Sequence, residues 1–184
     1  HDRNVRVYVT VNTMPHTCEY NRLKDYLLAY DNMGVDALII SDIGVISLAK
    51  ELIPNMEIHI STQASVVSAQ AATAYYNMGA KRVVLARELS EKEFRLIRES
   101  VNAELEVFVH GAHCMGASGN CYLSAMLGER SGNRGLCAQG CRLNWTNTHG
   151  REYALSLKDM SYLDNIKDLM EIGIDSFKIE GRMK

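Results

Sequence analysis

Residues 35–42 read VDALIISD, a nearly continuous apolar run that ends in two polar residues. Such a run is typical of a parallel β-strand that is buried on both faces. The segment before it, from about Tyr20 to Met33, carries apolar residues at helical spacing and stops at Gly34. The stretch therefore predicts a helix followed by a buried parallel strand.

The same alternation of strand and helix continues in both directions along the chain. Further strands are predicted at residues 5–12, 57–61, 82–86, 106–110 and 176–180, and the last helix at 160–172. Six βα units indicate an α/β fold with a parallel sheet, either doubly wound or part of a (β/α) TIM-type barrel. No glycine-rich phosphate loop follows the first strand, which disfavours a dinucleotide-binding sheet. Because a closed barrel needs about 250 residues, we expect residues 1–184 to be one partial barrel, strands three to eight, whose first two units belong to a missing N-terminal part.

Composition and charge exclude some classes of protein. The chain has 184 residues, is 47% hydrophobic and carries a net charge of −2. This charge provides no global field for nucleic acid, so any RNA contact must come from a local basic patch. No run of about 18 apolar residues predicts a membrane span. Four of the five cysteines cluster between residues 114 and 141 rather than forming a disulfide framework, which favours a reducing, cytoplasmic location.

A cysteine-rich and glycine-rich insertion is predicted at residues 111–153, after the fifth strand. It contains Cys114, Cys121, Cys137 and Cys141 but little helical or strand periodicity, so a metal is expected to hold it together. Four thiolates suit zinc or an iron–sulfur cluster. The alternative is that they are buried free cysteines, which behave as small apolar side chains.

Polar residues are expected at the carboxyl ends of the predicted strands, where parallel α/β folds carry their functional sites. They are Asn12, Asp42, Gln63, Arg87, Glu88, His110, Glu180 and Arg182. The alternative is that strand ends are polar because they meet water; Arg87 and Glu88 could pair with each other, and Asn12 could cap a turn. His110, or His113 beside it, is a candidate proton carrier, although a lone histidine is often structural.

Residues 131–135 read SGNRG and lie inside the cysteine-rich insertion. Together with Arg130, Arg134 and Arg142 they could form a backbone nest that binds an anion or an RNA phosphate. The alternative is a glycine-rich turn that only shapes the loop. Ser118 and Ser124 have histidines nearby in sequence, but no Gly-x-Ser-x-Gly elbow marks a serine nucleophile.

At these residues the chain resembles peptidase family U32, the collagenase-like proteases. The resemblance rests on EVFVHGAHC at 106–114, GNCYLS at 119–124, RSGNRGLCAQGCR at 130–142, SLKD at 156–159 and DSFKIEGRMK at 175–184. Two positions depart from the family pattern. His113 stands where an aliphatic residue is usual, and Ser161 where many relatives place another cysteine, so the fourth ligand is less firmly assigned than the other three.

The resemblance, closest to the prephenate-dependent transfer-RNA branch, implies oxygen-independent hydroxylation of a tRNA wobble uridine to 5-hydroxyuridine. It implies a 4Fe-4S cluster on Cys114, Cys121, Cys137 and Cys141, with prephenate as a possible co-substrate and tRNA as the partner. Under this hypothesis His110, Asp42, Glu180 and Arg87 are catalytic, and the substrate is bound by Asn12, Gln63, Glu88, Asn133, Arg134, Arg142 and Arg182. The alternatives are a peptidase, as the family name says, and a non-catalytic binding module stapled by zinc.

The predicted edge strands suggest a further partner. If the first two units are absent, the strands at residues 5–11 and 176–179 have unpaired edges. Exposed edges pair readily with other chains. We therefore expect a possible homo-oligomer formed through these strands.

Overall fold

A computed structural model describes residues 3–181 of the chain. The strands are β1 (Tyr8–Val11), β2 (Ala37–Ile40), β3 (Glu57–Ile60), β4 (Arg82–Val84), β5 (Glu104–Gly111), β6 (Met160–Ser161) and β7 (Ser176–Ile179). The α-helices are α1 (Tyr20–Asn32), α2 (Ile43–Leu52), α3 (Ala69–Asn77), α4 (Glu91–Ser100), α5 (Leu123–Gly128) and α6 (Ile166–Ile172). Each of the six predicted strands and the helices between them is thereby confirmed, with boundaries shifted by a few residues.

The strands form one sheet that curls into half of a barrel. Strands β1 to β5 lie side by side in chain order and are parallel, and β7 pairs in parallel with β5. The helices that connect consecutive strands cover one face. The fold is therefore the predicted TIM-like α/β architecture.

The region of residues 160–172 differs from the prediction of one long helix. Met160 and Ser161 form the short strand β6, antiparallel to the end of β5, and Tyr162 N donates to Val109 O over 2.8 Å. Backbone pairing with β5 takes precedence over the helical spacing, so α6 begins only at Ile166 and ends at Gly173 in a left-handed conformation. Within residues 3–181 the sheet consequently has seven strands rather than six.

The apolar core lies between the outer face of the sheet and the helices. From the strands it takes Leu38, Ile40, Ile58, Ile60, Val83, Leu85, Leu105 and Val107, and from the helices Leu27, Val45, Ile46, Ala72, Phe94, Ile97 and Leu169. Each large side chain buried in this way contributes about 1.5–3 kcal/mol. Ser90 and Glu93 form a capping box that opens α4.

The inner, concave face of the sheet carries charged side chains on β4, β5 and β7. Arg82 donates to Glu104 over 2.7 Å and to Glu106 over 3.2 Å, and Lys178 donates to Glu106 over 2.9 Å. Arg82 and Glu106 are almost fully buried, at 8% and 6% exposure. The cause is the alternation of residues along a strand, which turns every second side chain inward.

No helix in the described part of the chain has the length and apolar character needed to span a membrane.

Candidate functional site

The cysteine-rich insertion leaves the sheet at the end of β5 and lies across the carboxyl ends of the strands. Its first anchor is Arg134, which donates to both carboxylate oxygens of Glu19 over 2.8 Å and to Met14 O over 3.1 Å. Beside it, Asn133 Oδ1 accepts from Met14 N over 3.0 Å. The hydrogen bond from Arg134 lowers the pKa of the Glu19 carboxyl group to about 2. Both contacts fasten the insertion to the segment that follows β1.

A second anchor joins the insertion to the turn that follows β3. Asn133 Nδ2 donates to Gln63 Oε1 over 2.8 Å. Asn120 Nδ2 donates to Ser65 Oγ over 2.7 Å and to the backbone oxygen of Gln63 over 3.3 Å. Two segments of the insertion therefore meet the same turn.

A third anchor follows β4. The hydroxyl of the buried Ser118 donates to the carboxylate of Glu88 over 3.0 and 3.1 Å. The possibility that Glu88 pairs with its neighbour Arg87 is therefore wrong, because Arg87 pairs with Glu180 instead. The insertion is held over the mouth of the half-barrel at the ends of β1, β3 and β4.

Arg142 organises the second half of the insertion. Its guanidinium donates to Ser156 Oγ over 3.1 Å, to the backbone oxygen of Leu157, to His113 O over 3.4 Å and to Asp159 over 3.3 Å. Of the residues predicted to bind substrate, Gln63, Glu88, Asn133, Arg134 and Arg142 thus hold the insertion in place. Their side chains position the loop.

The cysteines of the insertion form no disulfide within residues 3–181; Cys114 and Cys141 are half-buried and Cys121 and Cys137 are exposed. Backbone amides donate to two of the sulfurs: Leu123 N to Cys121 Sγ and Gln139 N to Cys137 Sγ, each over 3.4 Å. Burial raises the pKa of the Cys141 thiol, and the negative charges of Cys114 and Cys137 raise it further against the opposing effect of Arg142. Cys114 and Cys137 are therefore close enough to Cys141 to influence its ionisation.

The donor set indicates which metal centre the insertion fits. Among residues 3–181, no three His, Cys, Asp or Glu side chains are arranged to hold a single metal ion. Four thiolates around one zinc, at about 2.3 Å each, must approach one another to about 3.8 Å. A cluster of several irons accepts more widely spaced thiolates, and amide hydrogen bonds to sulfur are a feature that tunes such clusters. Four thiols in one insertion are a donor set of the kind that holds an iron–sulfur cluster or zinc.

A second group of side chains lies at the ends of β4, β5 and β7. The guanidinium of Arg87 pairs with Glu180 and lies over the ring of Phe108, 4.1 Å from its centroid. Lys178 Nζ lies 5.5 Å from the same centroid. The Arg87 side chain is 9% exposed, and its buried Nε has no hydrogen-bond partner among the described residues. An unsatisfied buried donor of a cation is suited to receive an anion.

The remaining predicted residues divide between structural positions and the mouth. Asp42 caps α2 by accepting from Val45 N over 2.9 Å, and it also accepts from the hydroxyl of Tyr20 over 3.0 Å. Asn12 donates to Ser61 Oγ over 3.4 Å. His110 is exposed on the inner face at the end of β5. Arg182 lies outside the described residues.

The charged network on the inner face of the sheet was not predicted from the sequence. His59 is buried. Its Nε2 atom lies within hydrogen-bonding distance of Glu57 Oε1, at 2.7 Å. Its ring lies edge-on to the ring of Tyr8, with the two centroids 4.7 Å apart. Burial lowers its pKa. The available signal was the alternation ELEVF at 104–108 and SFKIE at 176–180, in which charged residues occupy every second position.

Three comparisons with known proteins bear on this site. The model of peptidase family U32 matches residues 1–184. The chain is 40% identical over 192 residues to "tRNA hydroxylation protein P1" of Bacillus subtilis (strain 168), covering 97% of this chain and 46% of the relative. It is 38% identical over 191 residues to "23S rRNA 5-hydroxycytidine C2501 synthase" of Escherichia coli (strain K12), covering 100% of this chain and 29% of the relative. The chain therefore spans less than half the length of these two curated relatives.

A solved structure of a U32 peptidase has the same fold. It superimposes with a TM-score of 0.61 at 17% sequence identity, over 98% of this chain and 71% of the other.

Proposed function

Since this chain belongs to peptidase family U32, we propose that its protein hydroxylates a pyrimidine of RNA without molecular oxygen, forming 5-hydroxyuridine at the wobble position of tRNA. The names of two relatives support this proposal, since one is a tRNA hydroxylation protein and the other a synthase of 5-hydroxycytidine in ribosomal RNA. The chain itself contributes the half-barrel and the insertion that crosses its mouth.

The observation that carries the proposal is the anchoring of the cysteine-rich insertion over the strand ends. Arg134 joins it to Glu19, Asn133 to Gln63, and Ser118 to Glu88. These contacts keep Cys121 and Cys137 beside the mouth, where α/β enzymes carry out their chemistry. A loop that only bound a partner would not need to be fixed to three strand ends.

The thiolates of Cys114, Cys121, Cys137 and Cys141 are the proposed ligands of a 4Fe-4S cluster. When bound, such a cluster would pass electrons one at a time; conversion of C5–H to C5–OH is a two-electron oxidation, so the co-substrate or solvent would have to supply the oxygen atom and an external acceptor would have to take the electrons. The backbone amides of Leu123 and Gln139 stabilise negative charge on Cys121 and Cys137, because each donates a hydrogen bond to the sulfur.

Arg87 and Lys178 form the proposed anion site beside this centre. The two cations flank the Phe108 ring, and the Nε of Arg87 lacks a partner among the described residues. Prephenate is the proposed co-substrate, and one of its carboxylates would replace Glu180 as the partner of Arg87. Glu180 would exchange its contact with Arg87 for water when the carboxylate binds, while His110 on the same face is the group available to move a proton.

The environments of Ser118 and Ser124 do not favour a serine peptidase. Ser118 donates to Glu88, and Ser124 Oγ accepts from Ala138 N over 3.0 Å. Both residues are buried, and neither hydroxyl bonds to a histidine within residues 3–181. A serine nucleophile needs an adjacent base.

The proposal is tested by expressing the whole protein in cells that lack wobble-uridine hydroxylation and measuring tRNA nucleosides by mass spectrometry. The wild type should restore 5-hydroxyuridine, and Arg87→Gln should remove most of it. Arg95→Gln, a matched change at an exposed position of α4, should have no effect. A stably expressed wild type that leaves the nucleosides unchanged but cleaves peptides would contradict the proposal.

A further inference from the structure

A cavity of about 360 Å³ opens beneath the insertion, between the segments that follow β1, β2 and β3. Its walls are Met14, Ser41, Asp42, Ile43, Gln63, Ala64, Ser65, Tyr75 and Asn120. This volume lies within the range of small-molecule sites, about 300–1,000 Å³. We propose that the cavity receives the target uracil, extruded from the RNA, and that Gln63 and Asn120 read its edge. The inference rests on the proposed function.

The walls of the cavity favour a neutral ligand. No lysine or arginine is among the lining residues. The carboxylate of Asp42 already accepts hydrogen bonds from Val45 N and from the hydroxyl of Tyr20. A phosphate or carboxylate would therefore find no counter-ion here, in contrast to the site at Arg87 and Lys178. The apolar side chains of Met14, Ile43 and Tyr75 instead suit the faces of a flat ring.

The anchoring contacts fix the orientation of two amide side chains in the cavity wall. Asn133 donates to Gln63 Oε1, so Gln63 keeps its Nε2 donor for a ligand. Asn120 uses Nδ2 to donate to Ser65 and to the Gln63 backbone, so its Oδ1 acceptor is left. Neither Gln63 Nε2 nor Asn120 Oδ1 has a hydrogen-bond partner among residues 3–181, and the orientations follow from the network.

One donor and one acceptor complement the imide edge of uracil. The O4 carbonyl of the base can accept from Gln63 Nε2, and its N3–H can donate to Asn120 Oδ1. Enzymes that modify a base read an extruded nucleotide through this edge. Asn120 directly precedes Cys121 in the chain, so the base edge would be held next to the thiol-bearing loop. Gln63 and Asn120 are thus specificity residues as well as anchors.

The test measures binding to the whole protein, purified anaerobically with its metal centre. The probes are three fluorescent stem–loop RNAs that carry, at one loop position, a uridine, a 3-methyluridine or an abasic site. Methylation removes the N3–H donor that Asn120 is inferred to accept. The wild type should bind the uridine RNA about tenfold more tightly than the 3-methyluridine RNA, as expected for one lost hydrogen bond, and should prefer it to the abasic RNA by at least as much.

Gln63→Glu should abolish most of the preference over the abasic RNA, because its carboxylate cannot donate to the O4 carbonyl, while it keeps the contact with Asn133 by accepting from Nδ2. Gln70→Glu makes the same charge change at an exposed position of α3 and should leave the preference intact. Equal preference in the wild type, Gln63→Glu and Gln70→Glu would overturn the inference. So would a wild type that hydroxylates tRNA but binds the three RNAs equally, and that result would leave the proposed function standing. A uridine preference without hydroxylation would instead sink the function alone.

Discussion

Arg134 and Glu19 are 115 residues apart in sequence and are joined by two hydrogen bonds of 2.8 Å. The pair connects the middle of the cysteine-rich insertion to the turn that precedes α1. Three of the five N–H donors of Arg134 are engaged, two by the carboxylate of Glu19 and one by Met14 O. Its role in this structure is to position the loop that carries the thiols.

Breaking this pair should loosen the insertion without unfolding the half-barrel. In the whole protein, Glu19→Gln is expected to speed limited proteolysis within residues 111–153 by several-fold. The reversed pair, Glu19→Arg combined with Arg134→Glu, should restore part of the protection. Cleavage at the same rate in the wild type and Glu19→Gln would show that the pair does not anchor the loop.

We expect the ion pair between Arg134 and Glu19 to persist in mild acid. The contact with Arg134 lowers the pKa of Glu19 to about 2, whereas an unpaired glutamate titrates near about 4.3. A depressed pKa means that the contribution is present above the unfolded value and is lost only as pH falls through the folded one. Protease protection of the insertion should therefore persist at about pH 4. Loss of the Glu19-dependent protection between about pH 5 and pH 4 would contradict this.

We expect the buried members of the charged network on the inner face of the sheet to contribute more to the free energy of unfolding than its partly exposed members. Glu106 accepts from Arg82, Lys178 and Ser176. Glu106→Leu leaves Lys178 unpaired, so we expect a loss of about 3 kcal/mol in the free energy of unfolding, measured with urea. Glu104→Gln, at a partly exposed position of the same network, should cost about 1 kcal/mol or less. Equal losses would mean that the buried position confers no extra stability.

His59 should make the protein less stable in mild acid. Burial lowers its pKa in the folded state, despite the contact with Glu57. As pH falls through about 6.5, the unfolded chain binds a proton that the folded chain does not, so stability decreases. His59→Gln should reduce the drop in unfolding free energy between about pH 7.5 and pH 5.5. The exposed control His149→Gln should preserve it, and the same drop in both variants would rule out His59 as the source.

The sequence predicted the parallel strands well because their signal is local. The run at residues 35–42 becomes β2, all of whose residues are buried. At residues 160–172 the helical spacing was misleading, because the pairing of Met160 and Ser161 with β5 depends on residues about 50 positions away. No local pattern reports such a contact.

The sequence predicted which polar residues lie at the strand ends, but not which residues they contact. Gln63, Glu88 and Asn133 were predicted to bind substrate, and in the structure each also makes a hydrogen bond that holds the insertion. Polarity at a strand end identifies a side chain that makes hydrogen bonds, but not its partner. The charged inner face could have been read from the alternation at 104–108, where Glu104 and Glu106 share one side of the strand.

The most direct test of this account is the metal content and visible spectrum of the whole protein purified without oxygen. If Cys114, Cys121, Cys137 and Cys141 hold a 4Fe-4S cluster, the protein should be brown and contain about four irons and four sulfides per chain. Cys121→Ser and Cys137→Ser should lose both the colour and the iron, while Cys18→Ser, outside the insertion, should keep them. A colourless protein with one zinc per chain, or iron unchanged in Cys137→Ser, would contradict the account.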